Sequence, residues 1–152
     1  MEHTEDGIRV AHSRHGLGAF ALRSFASGDF IGPILGEIMA DPDYGSSYAM
    51  ELDGRALEPA APFRFLNHSC RPNCALVTYD EKYEDGTLCD PSLWLEIISE
   101  IAPGEQMTID YAWPVADAIP CHCGTANCRG WIVAEEKLGE LLSARQSSLA
   151  AD

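Results

Sequence analysis

Apolar residues in this chain come in short runs, each closed by Gly, Pro or a patch of acids. That rhythm predicts short strands joined by turns, not long helices. Residues 15–22 run from the Gly-rich His15-Gly16-Leu17-Gly18 turn into a strand. Ser27-Gly28 makes the next turn, and residues 29–35 read as a second strand interrupted by Pro33. Residues 47–52 fit a third. Residues 75–79 and 93–98 flank an acidic loop whose Asp85-Gly86 step is a turn signal. Ala102-Pro103-Gly104-Glu105 suits a turn with Pro second and Gly third, and residues 106–111 follow as a strand. Only the end has a helical period. Over residues 133–145, Val133, Leu138, Leu141 and Leu142 fall along one stripe, with Glu135, Glu136 and Glu140 outside it. Such a stripe predicts a helix that covers part of a core.

The length of 152 residues allows one domain with a small appendage, and 46% hydrophobic residues suffice for a core. The formal net charge of −14 argues against direct nucleic-acid binding, which needs clustered Lys and Arg, and against anionic membranes. It serves solubility, or it attracts a basic partner. The charge is uneven: residues 31–63 carry six acids against one base, and residues 78–111 nine acids against one base. Between them, residues 64–77 hold Arg64 and Arg71 and no acid. The polar, acidic residues 1–7 lack the basic and apolar regions of a signal peptide. No apolar run reaches the length of a membrane span. The expectation is an intracellular protein, cytoplasmic or associated with nucleus or nucleoid, and not secreted.

Six Cys without a secretory signal point to thiols or metal ligands before disulfides. Cys121, Cys123 and Cys128 form a C-x-C-x4-C cluster. Three thiolates this close converge on one soft cation, and structural zinc takes a fourth ligand. His122, Cys70, Cys74 and Cys89 are the candidates; His122 lies between two ligands and would have to fold back. Residues 64–74 read Arg-Phe-Leu-Asn-His-Ser-Cys-Arg-Pro-Asn-Cys, with donors and acceptors at a tight bend. Alone, they suit a capped turn equally well. Tyr111, in Ile-Asp-Tyr-Ala-Trp-Pro, suits either a core position or a catalytic hydroxyl. Gly16-Leu17-Gly18 is neither a P-loop nor a dinucleotide fingerprint, because no Gly-Lys-Ser/Thr and no third Gly follow.

Taken in order, these motifs resemble the SET-domain protein lysine methyltransferases with a post-SET zinc segment. The order is G-x-G, Gly36-Glu37, Asn67-His68-Ser69-Cys70, the run Gly104-Glu105-Gln106-Met107-Thr108-Ile109-Asp110-Tyr111, and C-x-C-x4-C-Arg-Gly-Trp131. The resemblance spans residues 7–131. It implies a mostly β fold, β-clip-like, of small sheets with a knot-like core, a short zinc-bound segment and a C-terminal α-helix. It implies domain bounds of 1–7 for an N-terminal tail, 8–114 for the SET domain, 115–131 for the post-SET segment and 132–152 for the helix and tail. It implies S-adenosylmethionine as cofactor, held by Gly16, Leu17, Gly18, Asn67, His68 and Trp131. Tyr111 matches the active-site tyrosine and Tyr48 a site aromatic. Cys70 matches the fourth ligand of one structural zinc ion, beside Cys121, Cys123 and Cys128. The implied reaction is methyl transfer to a lysine amine in a protein or peptide, a basic one such as a histone. Asp110 is not expected to act as a base.

The chain departs from the family pattern at named places. Leu17 stands where Trp is common. Ile109 and Leu76 stand where an aromatic often limits methyl addition, which favours di- or trimethylation. Residues 54–63 are a few residues short. The alternative is a catalytically silent SET module that binds a basic peptide or partner. A zinc-held redox protein, with Cys74 and Cys89 as spare thiols, is a third reading. Substrate identity and oligomeric state are left open by the sequence.

Overall fold

The strand at residues 92–97 shows how the apolar pattern becomes structure: Leu93, Leu95 and Ile97 are buried, and Ser92, Trp94 and Glu96 alternate with them. The protein is described by a computed structural model over residues 4–5, 7–80, 84–87 and 90–150. In chain order the strands are β1 (Thr4–Glu5), β2 (Ile8–Ser13), β3 (Gly16–Ala21), β4 (Phe30–Ile31), β5 (Gly36–Met39), β6 (Met50–Leu52) and β7 (Arg55–Pro59). They continue with β8 (Asn67–His68), β9 (Cys74–Tyr79), β10 (Ser92–Ile97), β11 (Gln106–Ile109), β12 (Ile119–Pro120) and β13 (Trp131–Ile132). Single 3-10 turns lie at Phe63–Phe65, Val115–Asp117 and Glu135–Lys137, and helix α1 spans Leu138–Ala150. Among the described residues, no helix is long and apolar enough to cross a membrane.

Internal contacts group the chain into two units, one of Met1–Asn67 with Asn73–Thr108, the other of His68–Pro72 with Ile109–Asp152. Among the described residues, the first unit holds three small sheets. One has the order β1-β2-β3-β11-β8, with the unit boundary falling inside β8 and β11. The others are β4-β10-β9 and β5-β7-β6. Ile8, Ala19, Phe25, Leu95, Ile97, Ile101 and Met107 are among its most deeply buried apolar residues. The second unit pairs β12 with β13 and adds α1; Ile109, Cys121, Val133, Ala134 and Leu141 are buried there.

The predicted hairpin of residues 75–79 and 93–98 is present as β9 and β10, antiparallel with Trp94 opposite Val77. At Pro103-Gly104 the Glu105 N–H donates to the Ala102 carbonyl at 3.1 Å, and Gly104 takes φ +87°, as the Pro-Gly order predicts. Other expectations need correction. The strand expected over 29–35 stops at Ile31, because Pro33 brings no N–H to a ladder. The helix expected from 133 begins at Leu138; Val133 and Leu141 are buried, but Leu142 is exposed, so the stripe is narrower than its period implied. Residues 4–5 form β1 inside the polar N-terminal segment, and residues 55–59 form β7, the middle strand of its sheet.

Leu95 is wholly buried on the middle strand of β4-β10-β9. Leu95→Ala is expected to cost about 2–5 kcal/mol of stability through lost burial and a residual cavity. Denaturant unfolding measures it; a loss under about 1 kcal/mol would contradict this packing.

Candidate active site

The β2–β3 turn closes on Gly16, whose φ of +91° favours a residue without Cβ. The Ser13 hydroxyl donates to the Gly16 carbonyl at 3.0 Å, and the His15 N–H donates to Ser13 Oγ at 3.1 Å. Asn67 ties this turn to β11. Its Nδ2 donates to the Leu17 carbonyl at 3.1 Å and to Gln106 Oε1 at 3.0 Å, with Ser13 Oγ at 3.3 Å. Gly18 makes that possible, since a Cβ there would lie 2.6 Å from Gln106 Oε1. The outer edge of the turn is open: nothing lies within 4 Å of a Cβ built on Gly16, and Leu17 is 40% exposed.

Asn73 does for β11 what a neighbouring strand would do. Its Nδ2 donates to the Gln106 carbonyl and its Oδ1 accepts from the Thr108 N–H, both at 2.9 Å. The adjacent Cys74 is fully buried, and burial pushes its thiol up to about 12. It stays a protonated core thiol that donates to Asn73 Oδ1 at 3.4 Å.

Tyr48 lies before β6 and is half exposed. The Arg64 guanidinium covers its ring at 3.9 Å. Arg64 also donates to Glu58 Oε1 at 2.7 Å, and Glu58 accepts from Tyr44 Oη at 2.9 Å and Ser46 Oγ at 3.2 Å. Glu58 on β7 thus pins residues 44–48.

In the second unit, His68 is buried and joins two features. Its Nδ1 accepts the Tyr111 N–H at 3.1 Å, and its Nε2 lies 3.4 Å from Cys70 Sγ. A nitrogen that accepts carries no proton, so the proton sits on Nε2 and is donated to sulfur. Burial holds the imidazole below the ordinary His range, with Asp110 pulling upward and Arg129 downward. The Tyr111 ring lies 5.4 Å from His68 and stacks on Trp113 at 5.3 Å. Asp110 accepts from Arg129 Nη2 at 2.6 Å and, through Oδ1, from the Ala112 N–H at 2.9 Å. That leaves Asp110 holding the turn after Tyr111, where Ala112 has φ +47°.

The Sγ atoms of Cys70, Cys121, Cys123 and Cys128 all lie within 4.8 Å of one another, and Cys70 and Cys121 are 3.8 Å apart. Zn–S bonds of about 2.3 Å in a tetrahedron put sulfurs about 3.8 Å apart, so these four could hold one zinc ion. Backbone N–H groups support the cluster: Arg129 donates to Cys70 Sγ at 3.3 Å and Gly130 to Cys128 Sγ at 3.4 Å. Of the other proposed fourth ligands, His122 is exposed and the Cys74 thiol is engaged by Asn73 Oδ1, while Cys89 lies outside the described residues. Trp131, on β13, carries the Arg145 guanidinium 4.4 Å from its ring centroid.

The SET-domain family model matches residues 16–112. The chain belongs to the SET-domain family. Among the curated relatives of this SET domain is the histone-lysine N-methyltransferase, H3 lysine-4 specific, of Schizosaccharomyces pombe. It is 31% identical over 137 residues, which are 78% of this chain and 14% of that protein. The histone-lysine N-methyltransferase set-2 of Caenorhabditis elegans is 32% identical over 145 residues, 82% of this chain and 9% of that protein. The SET domain described here thus spans a small part of either relative. In fold, it is similar to the crystal structure of KRYPTONITE in complex with mCHH DNA, H3(1-15) peptide and SAH. The TM-score is 0.65 at 22% identity, covering 82% of this chain and 29% of that chain.

The site therefore comes as groups within each unit: Gly16, Leu17, Gly18 and Asn67 together, Tyr48 with Arg64, and His68, Tyr111 and the four cysteines together. Sequence reasoning missed Gln106, Glu58 and Arg129, whose partners lie 39, 6 and 19 residues away in the chain. Metal analysis of purified protein is expected to return one zinc per chain. Cys121→Ser should weaken zinc binding by more than the ~10–100-fold that loss of a mere supporting contact costs. A Cys121→Ser protein that retains full zinc under chelator competition would exclude this centre.

Proposed function

We propose that this domain transfers methyl groups from S-adenosylmethionine to the side-chain amine of lysine in a basic protein of histone type. The observation that carries the reading is Tyr111, held by its own N–H on the buried His68 and stacked on Trp113. A tyrosine fixed at backbone and ring alike suits the orienting of a small nucleophile. The open Gly16–Leu17 edge fits a ligand that meets backbone, and Gly16, Leu17, Gly18, Asn67, His68 and Trp131 are the residues proposed to hold the cofactor. When bound, S-adenosylmethionine supplies a methyl group already electrophilic on a sulfonium.

The remaining difficulty is the nucleophile. With a pKa of about 10.4, roughly 0.1% of a free lysine is neutral near pH 7.4, a handicap of about 4 kcal/mol. Desolvation in an apolar channel disfavours the ammonium and lowers that pKa. Tyr111 then orients the amine lone pair, and alignment supplies the rest of the barrier reduction. Asp110 is engaged by Arg129 and the Ala112 N–H, which supports a mechanism without a carboxylate base. Tyr48, with Arg64 over its ring, is proposed to line the substrate side. The four cysteines are proposed to hold zinc in a structural role, since four thiolates leave no open position for water. The acidic stretches at residues 31–63 and 78–111 favour a Lys-rich partner.

Tyr111→Phe is expected to lower kcat on histone protein by about 100-fold through lost alignment, with zinc content and melting temperature retained. Labelled S-adenosylmethionine measures the transfer. Unchanged transfer by Tyr111→Phe would remove Tyr111 from the mechanism, and wild type that binds cofactor but modifies no basic protein would favour a silent peptide-binding module. Ile109, buried and aliphatic two residues before Tyr111, offers no hydroxyl to restrain an amine or water. The products expected with excess cofactor are therefore di- and trimethyllysine. Mass spectrometry that finds only monomethyllysine would contradict this.

A further inference from the structure

The sheet β4-β10-β9 buries one face, and among the described residues its other face is partly exposed. Its register puts Phe30 opposite Glu96, Val77 opposite Trp94, and Tyr79 opposite Ser92. Because alternate residues of β10 are buried, Trp94 and Glu96 share the outer face with these partners. Phe30, Val77, Thr78, Tyr79, Trp94 and Glu96 line one groove of about 640 Å³. Phe30 is 57% exposed and Tyr79 51%. Two exposed aromatics and a half-buried indole around one groove are more than scattered surface apolarity.

The groove is also preformed. The Tyr79 and Trp94 rings meet edge to face, with centroids 6.3 Å apart at 68°, so they make two walls of a corner. Trp94 is fixed from two sides. Its Nε1 donates to Ser92 Oγ at 2.9 Å, and Gly32 passes so close that a Cβ there would lie 2.8 Å from the indole.

The lining selects its occupant by charge. A purely apolar segment would bury the Glu96 carboxylate without a partner, which is costly. An anion is repelled. A plain ammonium is strongly hydrated and finds only one carboxylate among the groove residues. An alkylated ammonium keeps its charge, sheds water more easily and gains from aromatic faces. The volume lies within the ~300–1,000 Å³ of small-ligand sites, enough for an aliphatic stem as well as a cationic head. We propose that this groove binds a trimethylated lysine side chain of a peptide, with Glu96 facing the cation and Phe30, Tyr79 and Trp94 as its aromatic walls. The proposal concerns binding alone and holds whether or not the domain transfers methyl groups.

Calorimetric titration of the full zinc-loaded chain with short basic peptides tests it. The peptides carry trimethyllysine, lysine or the neutral norleucine at one position. The trimethyllysine peptide is expected to bind at least about fivefold more tightly than either other, as one or two cation–ring contacts supply. Glu96→Gln, Phe30→Ala and Tyr79→Ala should each remove about threefold to tenfold of that affinity, with melting temperature and zinc content kept. Equal binding of all three peptides would overturn the proposal. So would trimethyllysine binding that none of the three variants weakens, which places the ligand elsewhere. Sedimentation that shows a dimer dissociated by Phe30→Ala would assign the face to a second copy of the chain, and overturn it too.

Discussion

The second unit depends on one imidazole. Buried His68 accepts the Tyr111 N–H on Nδ1 and gives its Nε2 proton to Cys70 Sγ. One neutral tautomer serves both contacts, and neither alternative does: the Nδ1–H form would oppose the Tyr111 N–H, and the imidazolium would leave Nδ1 with no lone pair to accept it. Burial favours the neutral form that both bonds need. Through this ring the position of Tyr111 is tied to the place where four cysteine sulfurs converge. Were zinc held by the four cysteines, the His68 bond to Cys70 would be the kind of contact that orients a ligand thiolate and tunes its charge. Here it also orients the tyrosine backbone on the other side of the ring.

Side-chain amides play the corresponding part in the first unit. Asn67 binds the β2–β3 turn and Gln106, while Asn73 pairs with the backbone of β11 on both sides of Met107. The strands involved are short, and a two-residue strand such as β8 has few ladder bonds of its own. The amides supply the missing pairs, since a buried backbone group left without a partner is costly. Gly18 belongs to the same device, because its bare Cα leaves room for Gln106 Oε1.

How much of this was legible varies with the range of the interaction. β9 and β10 were readable because alternation and a turn signal are both local. The Pro-Gly turn before β11 was readable for the same reason. β7 was not: Arg-Ala-Leu-Glu-Pro is short and ends in Pro, and it is a strand because β5 and β6 pair on its two sides. The start of α1 was misplaced because Val133 keeps the apolar period but is buried outside the helix. The cysteine spacing pointed to three candidate ligands. The fourth position was open among several residues until the resemblance pointed to Cys70, whose sulfur meets the cluster across 51 residues of chain. Gln106, Glu58 and Arg129 escaped notice because a single polar side chain carries no periodic signal, and its role is set by a partner that only the fold brings near.

The most direct measurement is the protonation of His68 in the zinc-loaded protein, read by long-range proton–nitrogen NMR of the imidazole. A single neutral form is expected at neutral pH, with the proton on Nε2 and a bare, hydrogen-bonded Nδ1. A proton on Nδ1, or an imidazolium at that pH, would contradict it, because His68 could then no longer accept the Tyr111 N–H.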